Sequence, residues 1–252
     1  MNVRLAAVII LSTLVSAPVV CHADEPSDVL SISDLRTMGL RALEQGNRQT
    51  AGEAADKLLL NFEDDSRAIR LAGDLYLRSG RIRSSIKQFE RYIELVPGDK
   101  AELWQYGIAL TLAGQFEDGR KLFELHRVAN PNDVENAAWH FLCVAKVSGI
   151  NEAKKTVLPA PGDTRVPMTE IRRLLMDGDE RRVTAAVEEL TAGSTSREVA
   201  EFFGNLYTGM YADAVGNPTK ARRLVGAAAK TAQANYMSDV ARVYADELEA
   251  TK

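Results

Sequence analysis

Three glycines spaced 34 residues apart, Gly39, Gly73 and Gly107, constrain this chain more than its composition does. A second set, Gly46, Gly80 and Gly114, keeps the same period, as do Phe89 with Phe123 and Pro97 with Pro131. Four columns sharing one interval mark an internal repeat. A repeat of that length is one supersecondary unit that buries its apolar face by stacking on its neighbours. The spacing within each glycine pair returns at Gly209 and Gly216, followed by Ala221 as Ala51 follows Gly46.

Within a unit the apolar pattern is that of two antiparallel helices. Residues 101–113 carry Leu103, Tyr106 and Leu110 on one face, and residues 117–129 turn Leu122, Phe123 and His126 inward. Gly114 stands between them, where a turn into the left-handed region favours a residue without Cβ. Asn130, Pro131 and Asn132 end the second helix and open the next unit. The glycine inside each first helix, Gly73 or Gly107, costs about 1 kcal/mol against alanine. Close approach of the paired helix is the compensation expected there.

These residues resemble the tetratricopeptide repeat. The second unit shows the pattern as Ile69, Ala72-Gly73, Tyr76, Gly80, Ser85, Phe89 and Pro97. The third shows it as Leu103, Tyr106-Gly107, Leu110, Gly114, Gly119, Phe123 and Pro131. The first unit, residues 32–65, keeps the two glycines and Ala51 but lacks the aromatic residue and the proline. A fourth pair over residues 135–158 keeps Ala153 and a displaced Gly149. The resemblance implies an all-α fold, a tetratricopeptide-like α-solenoid of antiparallel helix pairs. Repeats are expected over residues 24–158, then a break at 159–167, where Pro159, Pro161 and Pro167 cannot continue a helix. In the C-terminal part, residues 168–252, helices are expected near 168–176, 180–192, 197–215, 219–234 and 239–250. The pair around Gly209 and Gly216 reads as one more repeat, and the final segment, with Val240, Val243, Tyr244 and Leu248, as a helix capping the open solenoid end.

The first 23 residues read as a secretory signal peptide. Arg4 supplies the positive start, Leu5 to Val20 is an apolar run, and Ala23 is a small residue ahead of Asp24-Glu25-Pro26. The location expected is therefore periplasmic or otherwise exported. Lipid anchoring at Cys21 is disfavoured by the bulky Val19-Val20 before it. No later apolar run approaches the ~18 residues of a membrane span. Cleavage after Ala23 removes one basic residue, Arg4, from the 31 in the chain, leaving 30 against 35 acidic ones and a net charge of −5. That balance offers no global field for nucleic acid, and it leaves Cys143 as the one thiol.

The residues give little for catalysis. His140 and Cys143 share a helix face at i, i+3, in principle a thiol–imidazole or metal pair, but no second pair of ligands stands at a metal-site spacing. The bland reading, a buried cysteine beside a helix histidine, is preferred. Glu63-Asp64-Asp65 falls between repeats, as a solvated turn does. The glycines lie within helix pairs rather than after a strand, so no phosphate-cradling loop is present. No catalytic residue, metal or cofactor is expected. The basic sets Arg78, Arg81, Arg83 and Lys87, and Arg172-Arg173 with Arg181-Arg182, lack interleaved aromatics and read as helix ends.

A solenoid offers instead a concave groove lined by the first helix of each pair, and a protein or peptide is the ligand expected in it. The groove-facing candidates are Arg36, Arg67, Arg70, Asp74, Trp104, Gln105 and Thr111. Arg36 and Arg70 stand one period apart, with Trp104 next in the column. They are read either as a carboxylate grip with an aromatic anchor or as solvated surface with half-buried packing. The order of elements is also similar to that of the NlpI-type periplasmic repeat lipoproteins. That order is an export signal, repeats, a helix from Trp139 to Leu142, a proline-rich break, Asp177-Gly178-Asp179 and an isolated last repeat. The similarity implies a non-catalytic adaptor that binds cell-wall hydrolases and their processing protease, commonly as a homodimer. A scaffold of outer-membrane assembly or secretion is the alternative. The family's Lys and Asn clamp for terminal carboxylates is missing, so that specificity does not carry over.

Overall fold

The computed structural model describes residues 30–231 and 235–251; the expected signal segment and Cys21 lie outside them. The turns inside the helix pairs are made where the repeat places its second glycine. Gly114, with φ +77°, joins α5 (Trp104–Leu112) to α6 (Phe116–Ala129). In the same way Gly46 joins α1 (Ile32–Glu44) to α2 (Arg48–Asn61), and Gly80 joins α3 (Ser66–Ser79) to α4 (Ile82–Leu95). The first glycine of the pair does a different job. A Cβ on Gly107 would stand 2.7 Å from two ring carbons of Phe123, so the missing side chain is what lets α6 lie close on α5.

Side-chain caps start several helices. Ser31 and Asp34 form a reciprocal capping box on α1, and Asp65 caps α3. Asp133 caps α7 (Val134–Ser148). After α7 come the short α8 (Ile150–Lys155), α9 (Met168–Asp177) and α10 (Arg181–Glu188). The long α11 (Thr195–Ala214), α12 (Pro218–Ala229) and α13 (Tyr236–Ala250) complete the chain. The described residues contain no strand and no helix long and apolar enough to cross a membrane.

Several boundaries differ from expectation: α10 stops at Glu188 rather than 192 and α12 at Ala229 rather than 234, and three others differ for a local reason. Pro97–Glu102 is a 3-10 helix, so α5 begins at Trp104 rather than Ala101, with buried Leu103 as the hinge between them. The partner of α7 is only six residues long, because Thr156 leads into the crossing loop. Asn235 caps α13 by accepting from the Ser238 N–H, which starts that helix at Tyr236 instead of Asp239.

Neighbouring helices pack in chain order from α1 to α8, which is the solenoid. The second half then curls back. α7 packs against α9 and α11, and α13 packs against both α12 and α3. One large apolar cluster therefore runs from Leu77 and Ile108 through Trp139, Phe141, Tyr207 and Val240 to Leu248. A separate cluster holds α1, α2 and the outer face of α3 around Leu35, Leu58 and Leu75. The last helix does cover α12 as a cap does, and its other side closes onto α3.

Candidate interaction groove

The concave face of the repeats is filled at α3 by the chain's own α13. Tyr236 donates its hydroxyl to Asp74 Oδ1 at 2.6 Å, and its ring takes the Arg78 guanidinium at 4.8 Å. Arg78 Nε donates to Asp239 Oδ2 at 2.9 Å. Trp104 meets the Tyr236 ring edge-on, centroids 4.7 Å apart, and farther along Trp139 meets Tyr244 at 5.7 Å. At the rim Arg48 pairs with Asp246 at 2.6 Å. Burial pushes the carboxyls of Asp74 and Asp239 above their usual range, with the Arg78 charge pulling the other way.

The seven expected groove residues divide accordingly. Asp74 and Trp104 come together around Tyr236. Arg36 is exposed on α1. Arg67 folds back on Asp65 at 2.7 Å and is 80% exposed; its hydrogen bond holds the Asp65 carboxyl down at about 2. Arg70 lies over Tyr92 at 5.6 Å and 3.8 Å from Asp99, so it takes its partners from its own repeat instead of joining Arg36 and Trp104 in a column. Gln105 is half-buried, and its Oε1 has no hydrogen-bond partner. Thr111 is a correction. It is 3% exposed, donates to the Gly107 carbonyl one turn back at 2.8 Å and sits 3.1 Å from Cys143 Sγ, so it faces α7 in the interior and not the groove.

Beside Tyr236 the groove stays open as a cavity of about 220 Å³. Its walls are Trp104 and Ile108 of α5, Phe123 of α6, Trp139 of α7, and Tyr236 and Met237 of α13. Asp133, Glu135 and Asn136, at the start of α7, complete it. Both tryptophans of the chain are in this wall. Asn136 donates to the Phe123 carbonyl at 3.1 Å, which leaves its buried Oδ1 without a partner; the buried Trp139 Nε1 has none either. Behind the wall, Arg165 of the crossing loop ties Asp133 at 3.2 Å, Glu135 and Asp163 together. Tyr207 of α11 donates its hydroxyl to the second oxygen of Glu135. The proline-rich break, expected as an ordered crossing loop or linker, is thus anchored by charge. Trp139 was not among the expected groove residues, although its place nearly one period after Trp104 is a signal that could have found it; the acids around it carried no such signal.

Elsewhere the titratable groups are engaged structurally. Cys143 is fully buried, and burial pushes its thiol up to about 12. Its nearest polar partner is Thr111, while His140 Nε2 is 3.3 Å from Glu124. Burial also lowers the His140 pKa. No group of three or more His, Cys, Asp or Glu side chains among the described residues can hold a metal ion. Members of the basic sets pair locally, Arg81 with Asp56, Arg173 with Glu170, Arg181 with Asp179 and Arg182 with Asp177.

The fold and groove define a helical-repeat scaffold of the kind that engages other proteins. Residues 36–100 and 70–134 match the family model of the tetratricopeptide repeat, so this stretch carries tetratricopeptide repeats. A tetratricopeptide repeat protein from Parabacteroides merdae is 12% identical over 86% of this chain and 98% of that one, with a TM-score of 0.45. A thermophilic TPR protein of Thermus thermophilus is 13% identical over 87% of this chain and 100% of that one, with a TM-score of 0.44. Comparison with curated proteins found no match.

Proposed function

We propose that the protein is a non-catalytic, exported adaptor that holds another protein at the aromatic cavity beside α13. The cavity carries the reading. It is the part of the first-helix face that α13 leaves open, and tryptophan and tyrosine walls are what partner side chains anchor on. The raised Cys143 pKa supports a binding role over thiol chemistry, because a buried neutral thiol is a poor nucleophile. The leader over residues 1–23 supports a periplasmic setting. The order of elements supports a cell-wall hydrolase, or the protease that processes one, as the partner.

The test is capture on the immobilised chain from a cell-envelope extract, followed by titration of the purified captured protein against wild type and Trp104→Ala. Circular dichroism establishes that the variant is folded. A hydrolase or processing protease whose affinity falls at least tenfold with Trp104→Ala supports the proposal. Equal affinity for both chains moves the site away from the cavity. No protein retained above a blank matrix removes the adaptor role.

A further inference from the structure

We infer that this cavity takes the basic side chain, lysine or arginine, of a partner polypeptide. The inference rests on the adaptor reading and names the chemistry of what is held. Among the described residues, the only charged ones in the wall are Asp133 and Glu135. Their counter-charge is the single guanidinium of Arg165, which serves Asp163 as well; burial pushes the Glu135 carboxyl above its usual range, so Asp133 and Asp163 make up the surplus against one cation. An anionic occupant would meet that surplus. Nor does the N-terminus of α7 offer an anion site, since the Asp133 carboxylate already caps it by accepting from the Glu135 N–H at 3.0 Å.

The apolar part of the wall completes the fit. Trp104, Phe123, Trp139 and Tyr236 present aromatic rings to the space, and ring faces attract ammonium and guanidinium groups, tryptophan most strongly. The methylene stem of lysine or arginine packs against Ile108 and Met237 while its head reaches the acids. Polar atoms of the wall point the same way. Asn136, 4% exposed, holds an acceptor without a donor, which an ammonium or guanidinium N–H supplies. Trp139 holds a donor without an acceptor, the complement of a peptide carbonyl. The volume of about 220 Å³ admits one long side chain and no folded segment.

Both tryptophans line the cavity, so intrinsic fluorescence of the full chain reports its occupancy directly. The probes are four blocked tripeptides, Gly-Lys-Gly, Gly-Arg-Gly, Gly-norleucine-Gly and Gly-Glu-Gly. The decisive variant is Asp133→Asn, because asparagine caps a helix as well as aspartate does and only the charge is lost. The expected result is a saturable fluorescence change with the lysine and arginine peptides at least tenfold tighter than with norleucine. Affinity for the basic peptides falls at least fivefold in Asp133→Asn, and the glutamate peptide gives no change. A norleucine response as tight as the lysine response overturns the charge selectivity while leaving a side-chain anchor site for the adaptor. No saturable response to any peptide overturns the inference outright, and the adaptor reading then stands or falls on the capture experiment alone. Basic peptides that bind Asp133→Asn as tightly as wild type likewise overturn it.

Discussion

Replacing Arg78 by alanine tests whether the contact between α3 and α13 is held by charge. Arg78 is 12% exposed and faces Asp74 at 3.5 Å and Asp239 at 2.8 Å, whose side chains are 19% and 8% exposed. Removing the guanidinium strands two buried carboxylates. Breaking a buried pair by deleting one partner costs roughly 3–5 kcal/mol. Two features bring this chain to the lower end. Asp239 keeps Arg242 at 2.6 Å, and Asp74 keeps the Tyr236 hydroxyl at 2.6 Å. There is also a ceiling, since a stranded carboxyl can take up a proton. Protonating an aspartate of ordinary pKa at pH 7 costs about 4 kcal/mol, at 1.36 kcal/mol per unit. The expected loss at pH 7 is therefore about 3–4 kcal/mol.

The sign of the pH effect follows. Without Arg78, the folded-state pKa values of Asp74 and Asp239 rise further above their unfolded values. A raised carboxyl pKa destabilises the folded chain at high pH, and that penalty fades as pH falls through the folded value toward the unfolded one. At pH 5 the protonation ceiling has dropped from about 4 to about 1.5 kcal/mol per carboxyl, so the gap between variant and wild type should be smaller there than at pH 7. Urea titrations at both pH values, followed by tryptophan fluorescence and circular dichroism, measure this. Trp104 sits on the Tyr236 ring and reports the α13 seam, while the far-ultraviolet signal reports the whole solenoid. A loss below 1 kcal/mol at pH 7, or a gap of the same size at pH 5, would refute the buried-pair argument.

Two further outcomes check the packing and the inert thiol. Gly107→Ala drives a methyl to 2.7 Å from the buried Phe123 ring, and overpacking of about 1–3 kcal/mol should outweigh the ~1 kcal/mol helix gain, whereas Gly226→Ala, with nothing within 4 Å, should stabilise by about 0.5–1 kcal/mol; urea midpoints moving in opposite directions verify the pair. In a Cys21→Ser chain, Cys143 should ignore an aromatic disulfide reagent at pH 8 under native conditions and react fully in denaturant, because its thiol is buried and pushed up to about 12; labelling within seconds in native buffer contradicts this.

What could be read in the residues was whatever recurs. Gly114 and Gly107 recur because each repeat needs one left-handed turn and one close helix contact, and both needs act within a single unit. The helix pairs, their order and the all-helical class follow from those columns. Arg78–Asp239 and Tyr236–Asp74 join residues more than 160 positions apart, and each occurs once, so no period announces them. Asp74 and Arg78, at i, i+4 on α3, look like an ordinary exposed helix pair until α13 is laid over them. Thr111 was misassigned for a simpler reason. Its hydroxyl bonds back to Gly107 within its own helix and so needs no solvent, which lets a polar residue sit on the buried face. The Asp133, Glu135 and Arg165 network was hidden because the proline-rich loop has no periodicity from which to infer where its one guanidinium lands.

The same geometry explains why a repeat protein whose helix face is covered keeps an open cavity beside α13. In an open solenoid the inner faces of α3, α5 and α7 would expose Leu77, Ile108 and Trp139, all of which are 1% exposed or less here. α13 covers that apolar surface with Val240, Val243 and Tyr244, and it does so from Tyr236 onward. Asn235 fixes that starting point, because its side chain caps the helix at a defined residue. Tyr236 and Met237 consequently form the last wall of the cavity and α13 goes no farther over it. Asp74 and Arg78 hold the Tyr236 ring from the α3 side, while Trp104 meets it from α5. The polar seam that closes α13 onto α3 is thus also what shapes the cavity beside Tyr236. The core of α1, α2 and one side of α3, around Leu58 and Leu75, is separate from the main one, while Leu77, Ile82 and Ile86 of the second repeat join the main cluster.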